Sequence, residues 1–225
     1  MPASSAPDIT AGAIALAYAA IAPVFKDSPQ FELDALNAAL NTRLILKVET
    51  LNPIRSFKGR GTDYFVKQQV QAQSQAHALV CASAGNFGQG MAYACRQHQI
   101  PLTVFAAKTA NPLKLERMEQ LGATVKLAGA DFDAAKAAGK QYAAEQGLPY
   151  VEDGQEPAVT IGAGTIGLEL SQYPAPIDTL LIPVGNGALI NGIGTWFKTH
   201  SPHTRVIGVV AAGAPAMALS WQRGQ

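Results

Sequence analysis

The sequence predicts an α/β fold built on mostly parallel sheets, with helices on both faces. Two observations predict it. Short apolar runs rich in β-branched residues alternate with stretches of helical spacing along most of the 225 residues. Within those runs the apolar character is continuous, as in strands buried on both faces. The composition agrees, because 48% apolar and 15% charged residues describe an ordinary globular chain with a core.

The first expected element is a helix. The run Ile14-Ala15-Leu16-Ala17-Tyr18-Ala19-Ala20-Ile21-Ala22 is too short to span a bilayer. No Lys or Arg precedes Thr10 to form the basic start of a signal peptide. A buried helix with Thr10 as its N-cap is expected. Strands follow at 43–49, 77–82, 102–106, 124–128, 179–184 and 205–210. Helices are expected at 61–75, 89–97, 112–121, 132–146, 159–171 and 189–198. Gly122 is placed as a C-cap glycine after Leu121, and Asp131 as the N-cap before Phe132. Tyr173-Pro174-Ala175-Pro176 reads as a stiff connector, and 214–223 as a final helix stopped by Gly224.

Charge and cysteine content exclude several classes. Seventeen basic and sixteen acidic residues give a net charge of +1, so nothing asks for nucleic acid or an anionic membrane. Cys81 and Cys95 form no CxxC pair, and His77, His98, His200 and His203 lack metal-ligand spacing. Two reduced, buried cysteines in a cytoplasmic protein are expected.

Two glycine-rich turns follow strands and precede helices: Ser83-Ala84-Gly85-Asn86-Phe87-Gly88-Gln89-Gly90 and Gly185-Asn186-Gly187-Ala188-Leu189. In an open parallel sheet such turns lie where ligands bind, and their N–H groups with the helix N-terminus suit a phosphate. The dinucleotide pattern GxGxxG is incomplete and Walker A is absent. Taken singly, either loop reads equally well as a tight turn. Lys58, within Ser56-Phe57-Lys58-Gly59-Arg60-Gly61, changes the balance. Beside Phe57 and a helix start, it is expected to be desolvated toward the nucleophilic amine. The plainer reading makes it one charge of a solvated basic face with Arg55 and Arg60. An amine plus a phosphate cradle is what pyridoxal 5′-phosphate needs.

These motifs, together with Gly162-Ala163-Gly164-Thr165-Ile166-Gly167-Leu168-Glu169, occur in an order that resembles the fold type II pyridoxal phosphate enzymes, in the threonine/serine dehydratase and serine racemase branch. The resemblance implies a two-domain, three-layer αβα fold of the tryptophan synthase β kind. Residues 1–74 plus 150–225 would form a large cofactor domain, and 75–149 a small inserted α/β domain. It implies that Lys58 holds the cofactor as a Schiff base and acts as base at the substrate Cα. Phe57 would pack on the cofactor ring, and Asn86 would bond its 3′-oxygen. Gly185, Asn186, Gly187, Ala188 and Leu189 would cradle the phosphate. Ser83, Ala84, Gly85 and Asn86 would meet the substrate. The implied reaction is α,β-elimination of L-threonine or L-serine to a 2-oxo acid and ammonia, in a homodimer acting on small amino acids.

The sequence departs from the family pattern in places. Ala84 replaces a serine that racemases use as an acid/base, so racemisation is not expected. Phe87 replaces a histidine, Ala163 a glutamine and Gly154 an asparagine. Val210 stands where some members carry a metal-ligating glutamate, so no metal is expected there. Asn186 and Ala188 replace two of four phosphate-loop glycines. Family members run on for about another hundred residues, judged from domain size. A shortened chain would expose a sheet edge with residues such as Val209 and Met217, and would oligomerise, aggregate or need a complement. Two other readings stay open: a β-replacement enzyme like cysteine synthase, and a catalytically silent, truncated relative.

Overall fold

The computed structural model describes residues 8–72 and 78–224. The expected strand start at 77, the helix end at 73–75 and the 74/75 domain boundary lie outside these residues.

Helix α1 spans Ala11–Ala20, and the Thr10 hydroxyl accepts from the Ala13 N–H at 3.1 Å, as a capping residue should. Ile14 and Ala17 are buried while Leu16 is 71% exposed, so the helix is buried along one stripe rather than all round. The run at 43–49 does not join a parallel sheet. Only Ile45–Lys47 is a strand, β2, and it pairs antiparallel with β1, Gln30–Glu32, which the sequence did not announce. Both are three residues long and only partly covered, and α2, Asp34–Leu40, connects them.

Four strands form the first parallel sheet: β3, Leu79–Ala82; β4, Leu102–Ala106; β5, Thr124–Leu127; and β6, Tyr150–Val151. Their spatial order is β5-β4-β3-β6, and every pairing is parallel. β3 shows why its sequence is unbroken by polar residues. Leu79 and Cys81 belong to a core shared with Met91, Cys95 and Met118, while Val80 and Ala82 pack with Phe105 and Ala143. Successive side chains point to opposite faces, and both faces are covered. The covering helices are α4, Asn86–Gln97, and α5, Pro112–Gln120, on one side, with α6, Phe132–Gln146, on the other. Asp131 caps α6 by accepting from Ala134 N–H at 2.8 Å, and Gly122 after α5 has φ +93°. The sheet includes Tyr150 and Val151, the first residues beyond the boundary drawn at 149/150.

The remaining elements carry the other part of the site. Helix α3 spans Lys58–Gln71, α7 Pro157–Leu170, α8 Ala188–His200 and α9 Ala216–Arg223. Strands β7, Thr179–Pro183, and β8, Arg205–Val209, make a second parallel sheet. α7 lies against both α3 and α8, with almost every residue buried. Val209, at the end of β8, is 50% exposed and Met217, on α9, 41%. Among the described residues, no helix is long and apolar enough to cross a membrane.

Candidate active site

Lys58 is the first residue of α3, one position after Phe57, with its backbone N–H on the Ser56 hydroxyl at 3.3 Å. The segment before it is shaped by Asn52, whose side chain accepts from Ile54 and Ser56 N–H and donates to the Ser56 carbonyl. Across from Lys58 lies the turn into α8. Gly187 precedes the helix with φ +91°, a conformation open to glycine and strained for most residues. Phe57, Lys58, Asp153, Gly185, Asn186, Gly187 and Leu189 line one cleft of about 440 Å³, a size that suits a cofactor.

The turn offers donors. Among the described residues, the N–H groups of Gly185, Asn186 and Gly187 face no protein acceptor, and the start of α8 adds its partial positive charge. Ala188 differs. Its N–H donates to the Asn186 Oδ1 at 3.3 Å, and Ala188 is not on the cleft wall. A Cβ at Gly154 would lie 3.1 Å from the Asn186 Cβ, so this glycine leaves room for the asparagine side chain. An amine and free backbone donors lining one cleft fit pyridoxal phosphate, which needs an amine for its aldehyde and donors for its phosphate.

Lys58 is not held in an apolar environment. Its Nζ lies 2.7 Å from both oxygens of Asp153, with the side chains 12% and 25% exposed. The rings of Phe57 and Phe87 stand 5.3 and 5.9 Å from the same nitrogen. The expectation of a lysine desolvated by Phe57 is therefore corrected: aromatic rings flank it, but a carboxylate neutralises it. Nor is Arg60 part of a solvated basic face. It is fully buried and ion-paired with Glu49 and Glu169. Arg55 is exposed.

The other glycine loop lies apart from the cleft wall. Ser83, Ala84, Gly85 and Asn86 do not line the cleft, and Asn86 is exposed. Phe87, buried at the start of α4, connects the two regions through its contact with Lys58. The Ser83 hydroxyl accepts from Gly85 N–H at 3.2 Å and Gly88 N–H at 3.0 Å, so it organises its own turn. The residue that sequence reasoning missed is Asp153. Nothing in its neighbourhood marks it, because its partner is 95 positions away.

Comparison with known proteins places this geometry. The chloroplastic biosynthetic threonine dehydratase of Arabidopsis thaliana is 38% identical over 200 residues, 88% of this chain and 34% of its own length. The L-threonine ammonia-lyase of Geobacter sulfurreducens is 38% identical over 186 residues, 83% of this chain and 46% of its own. The chain thus spans less than half the length of either relative. The solved structure of the processed form of threonine deaminase isoform 2 from Solanum lycopersicum matches with a TM-score of 0.86 at 31% identity, covering 96% of this chain and 63% of that one. The mixed α/β architecture with mostly parallel sheets is that of the fold type II enzymes. The family description "Pyridoxal-phosphate dependent enzyme" matches residues 21–225, and the chain belongs to that family.

Proposed function

We propose that this chain carries the site of an ammonia-lyase that converts L-threonine or L-serine to a 2-oxo acid and ammonia by α,β-elimination. One observation carries the reading: Lys58 and the glycine turn before α8 line a single cleft. The names of the relatives, threonine dehydratase and L-threonine ammonia-lyase, support the choice of substrate.

Pyridoxal phosphate, when bound, supplies an electron sink for the pair released as the substrate Cα–H bond breaks. This chain's residues do the rest. Gly185, Asn186, Gly187 and Leu189 hold the phosphate with backbone N–H groups at the start of α8, and Ala188 shapes that turn. Phe57 would pack against the ring, and Asn86, which lies off the cleft wall, would reach the 3′-oxygen only once its loop closes toward Lys58. Lys58 anchors the cofactor and takes the proton from Cα. Ser83, Ala84, Gly85 and Asn86, off the cleft wall, would hold the substrate carboxylate once their loop closes toward Lys58, with Ser83 acting by fixing the turn. The β-hydroxyl leaves with a proton as water.

The domain division belongs to the same proposal: 75–149, carrying with it the β6 residues Tyr150 and Val151 that pair with β3, closes over the substrate against the rest of 1–74 plus 150–225. A cytoplasmic homodimer belongs to the same proposal, and two free buried thiols, Cys81 and Cys95, fit a reducing compartment.

The test is a visible absorption spectrum of the chain mixed with pyridoxal phosphate, beside Lys58→Ala. A visible imine band that is lost in the variant supports the site. A folded parent with no band refutes a cofactor site in this chain. Release of 2-oxo acid from threonine and serine then separates elimination from the other chemistries of the family.

A further inference from the structure

Among the residues lining the cleft, Lys58 is the one cation and Asp153 the one anion. They are bonded to each other through both carboxylate oxygens, each 2.7 Å from Nζ. Asp153 stands two residues beyond β6, beside Gly154, whose φ of +88° turns the chain toward Asn186. An anionic wall in a cleft read as an anion cradle needs a reason.

We propose that Asp153 is a positioning residue that clamps the Lys58 amine until cofactor arrives and so sets the rate at which Lys58 captures an aldehyde. This rests on Lys58 being the cofactor's anchor. An ammonium held by two charge-assisted hydrogen bonds is pinned to the carboxylate and has no lone pair to offer a carbonyl carbon. Capture therefore needs three changes. The ammonium releases one proton to solvent. The nitrogen leaves the carboxylate and bonds to the carbonyl carbon. The carbonyl oxygen departs as water. Once the nitrogen has moved to the carbonyl carbon, Asp153 loses its two hydrogen bonds and stands as a carboxylate in the same cleft as the incoming phosphate, an opposition of like charges. The Asp153 side chain is 25% exposed, so water can take over its hydrogen bonds when the pair opens.

Reductive methylation with formaldehyde and cyanoborohydride tests the clamp directly, read at each lysine by peptide mass spectrometry. It is run on the 225-residue chain and on Asp153→Asn, which keeps the shape and removes the charge. Exposed Lys114 is the internal reference. The expected result is a roughly tenfold rise in Lys58 labelling relative to Lys114. Asp153→Ser, a smaller neutral side chain at a partly exposed position, should move the same way. The imine band with pyridoxal phosphate should also grow faster in both variants. Unchanged Lys58 labelling in both folded variants overturns the clamp. A rise in labelling with no imine band in any protein keeps the clamp and removes Lys58 as the anchor, so the two readings fail separately.

Discussion

Arg60 and Glu169 meet as a two-pronged ion pair: Nη1 lies 2.6 Å from Oε1 and Nη2 2.8 Å from Oε2, with the side chains 0% and 3% exposed. Glu49 takes the Arg60 Nε at 2.9 Å, Thr165 accepts from Nη1, and the Lys47 Nζ reaches Glu169 at 2.6 Å. Two cations and two carboxylates thus close on one another at the start of the helix that bears Lys58. Arg60→Met leaves buried Glu169 and partly buried Glu49 against one cation and is expected to destabilise the chain by about 3–5 kcal/mol. Arg60→Lys cannot fork and should fall between. Denaturant midpoints give the ranking.

Acid should act through the same cluster. Burial pushes the Glu169 carboxyl up, but the hydrogen bonds and charge of Arg60, joined by Lys47, bring it below its ordinary value of 4.5. A carboxyl held low in the folded chain stabilises it above that value, and the contribution disappears as pH falls through the folded value. Stability measured from pH 7 to 3 should decline below about 4.5. Glu169→Gln should flatten that decline while lowering the plateau.

The packing of α3 on α7 is set by backbone. A Cβ on Gly61 would lie 2.3 Å from the Val159 carbonyl oxygen, which cannot turn aside. Gly61→Ala is expected to cost about 1–3 kcal/mol. It should also weaken cofactor retention, because Lys58 is three residues away on the same helix. Thermal melts and the absorbance titration read the two effects.

Gly187→Ala should separate binding from stability. The added Cβ meets only the Asn191 Nδ2, at 3.4 Å, so the loss comes from the positive φ. The strain of about 1–2 kcal/mol is relieved if the turn relaxes out of positive φ, which would turn its N–H donors away and weaken pyridoxal phosphate binding by roughly tenfold with little loss of stability.

The thiols should be inert. Burial pushes Cys95 up to about 12 and Cys81 up as well. Iodoacetamide at pH 8 should leave both unmodified in the folded chain and modify both after denaturation.

Elements whose signal is local were legible in the sequence. β4 and α6 fall where their apolar run and N-cap place them, and Thr10 and Asp131 cap as their side chains allow. β6 escaped because two residues make no pattern, and β1 because Gln30 and Glu32 are polar. At the site, Phe57, Lys58 and the Gly185 turn were legible as an aromatic–lysine pair and a glycine-rich strand-to-helix turn. Asp153 and buried Arg60 were not. Charged residues read as surface, and only contacts across 95 and 109 positions show otherwise.

Helix α7 has a consequence for how the two ends of the cleft keep their spacing. Gly162 presses on Arg60 and Gly61 of α3, and a Cβ there would lie 2.6 Å from the Gly61 Cα. Two residues on, Gly164 meets Gly192 of α8, whose own Cβ would strike the Thr160 carbonyl at 2.4 Å. α3 carries the lysine and α8 follows the glycine turn, so α7 is the gauge block between them. Its working faces are bare main chain, with no rotamers to adjust. Sequence drift elsewhere can repack around this gauge, but its width is fixed by peptide geometry.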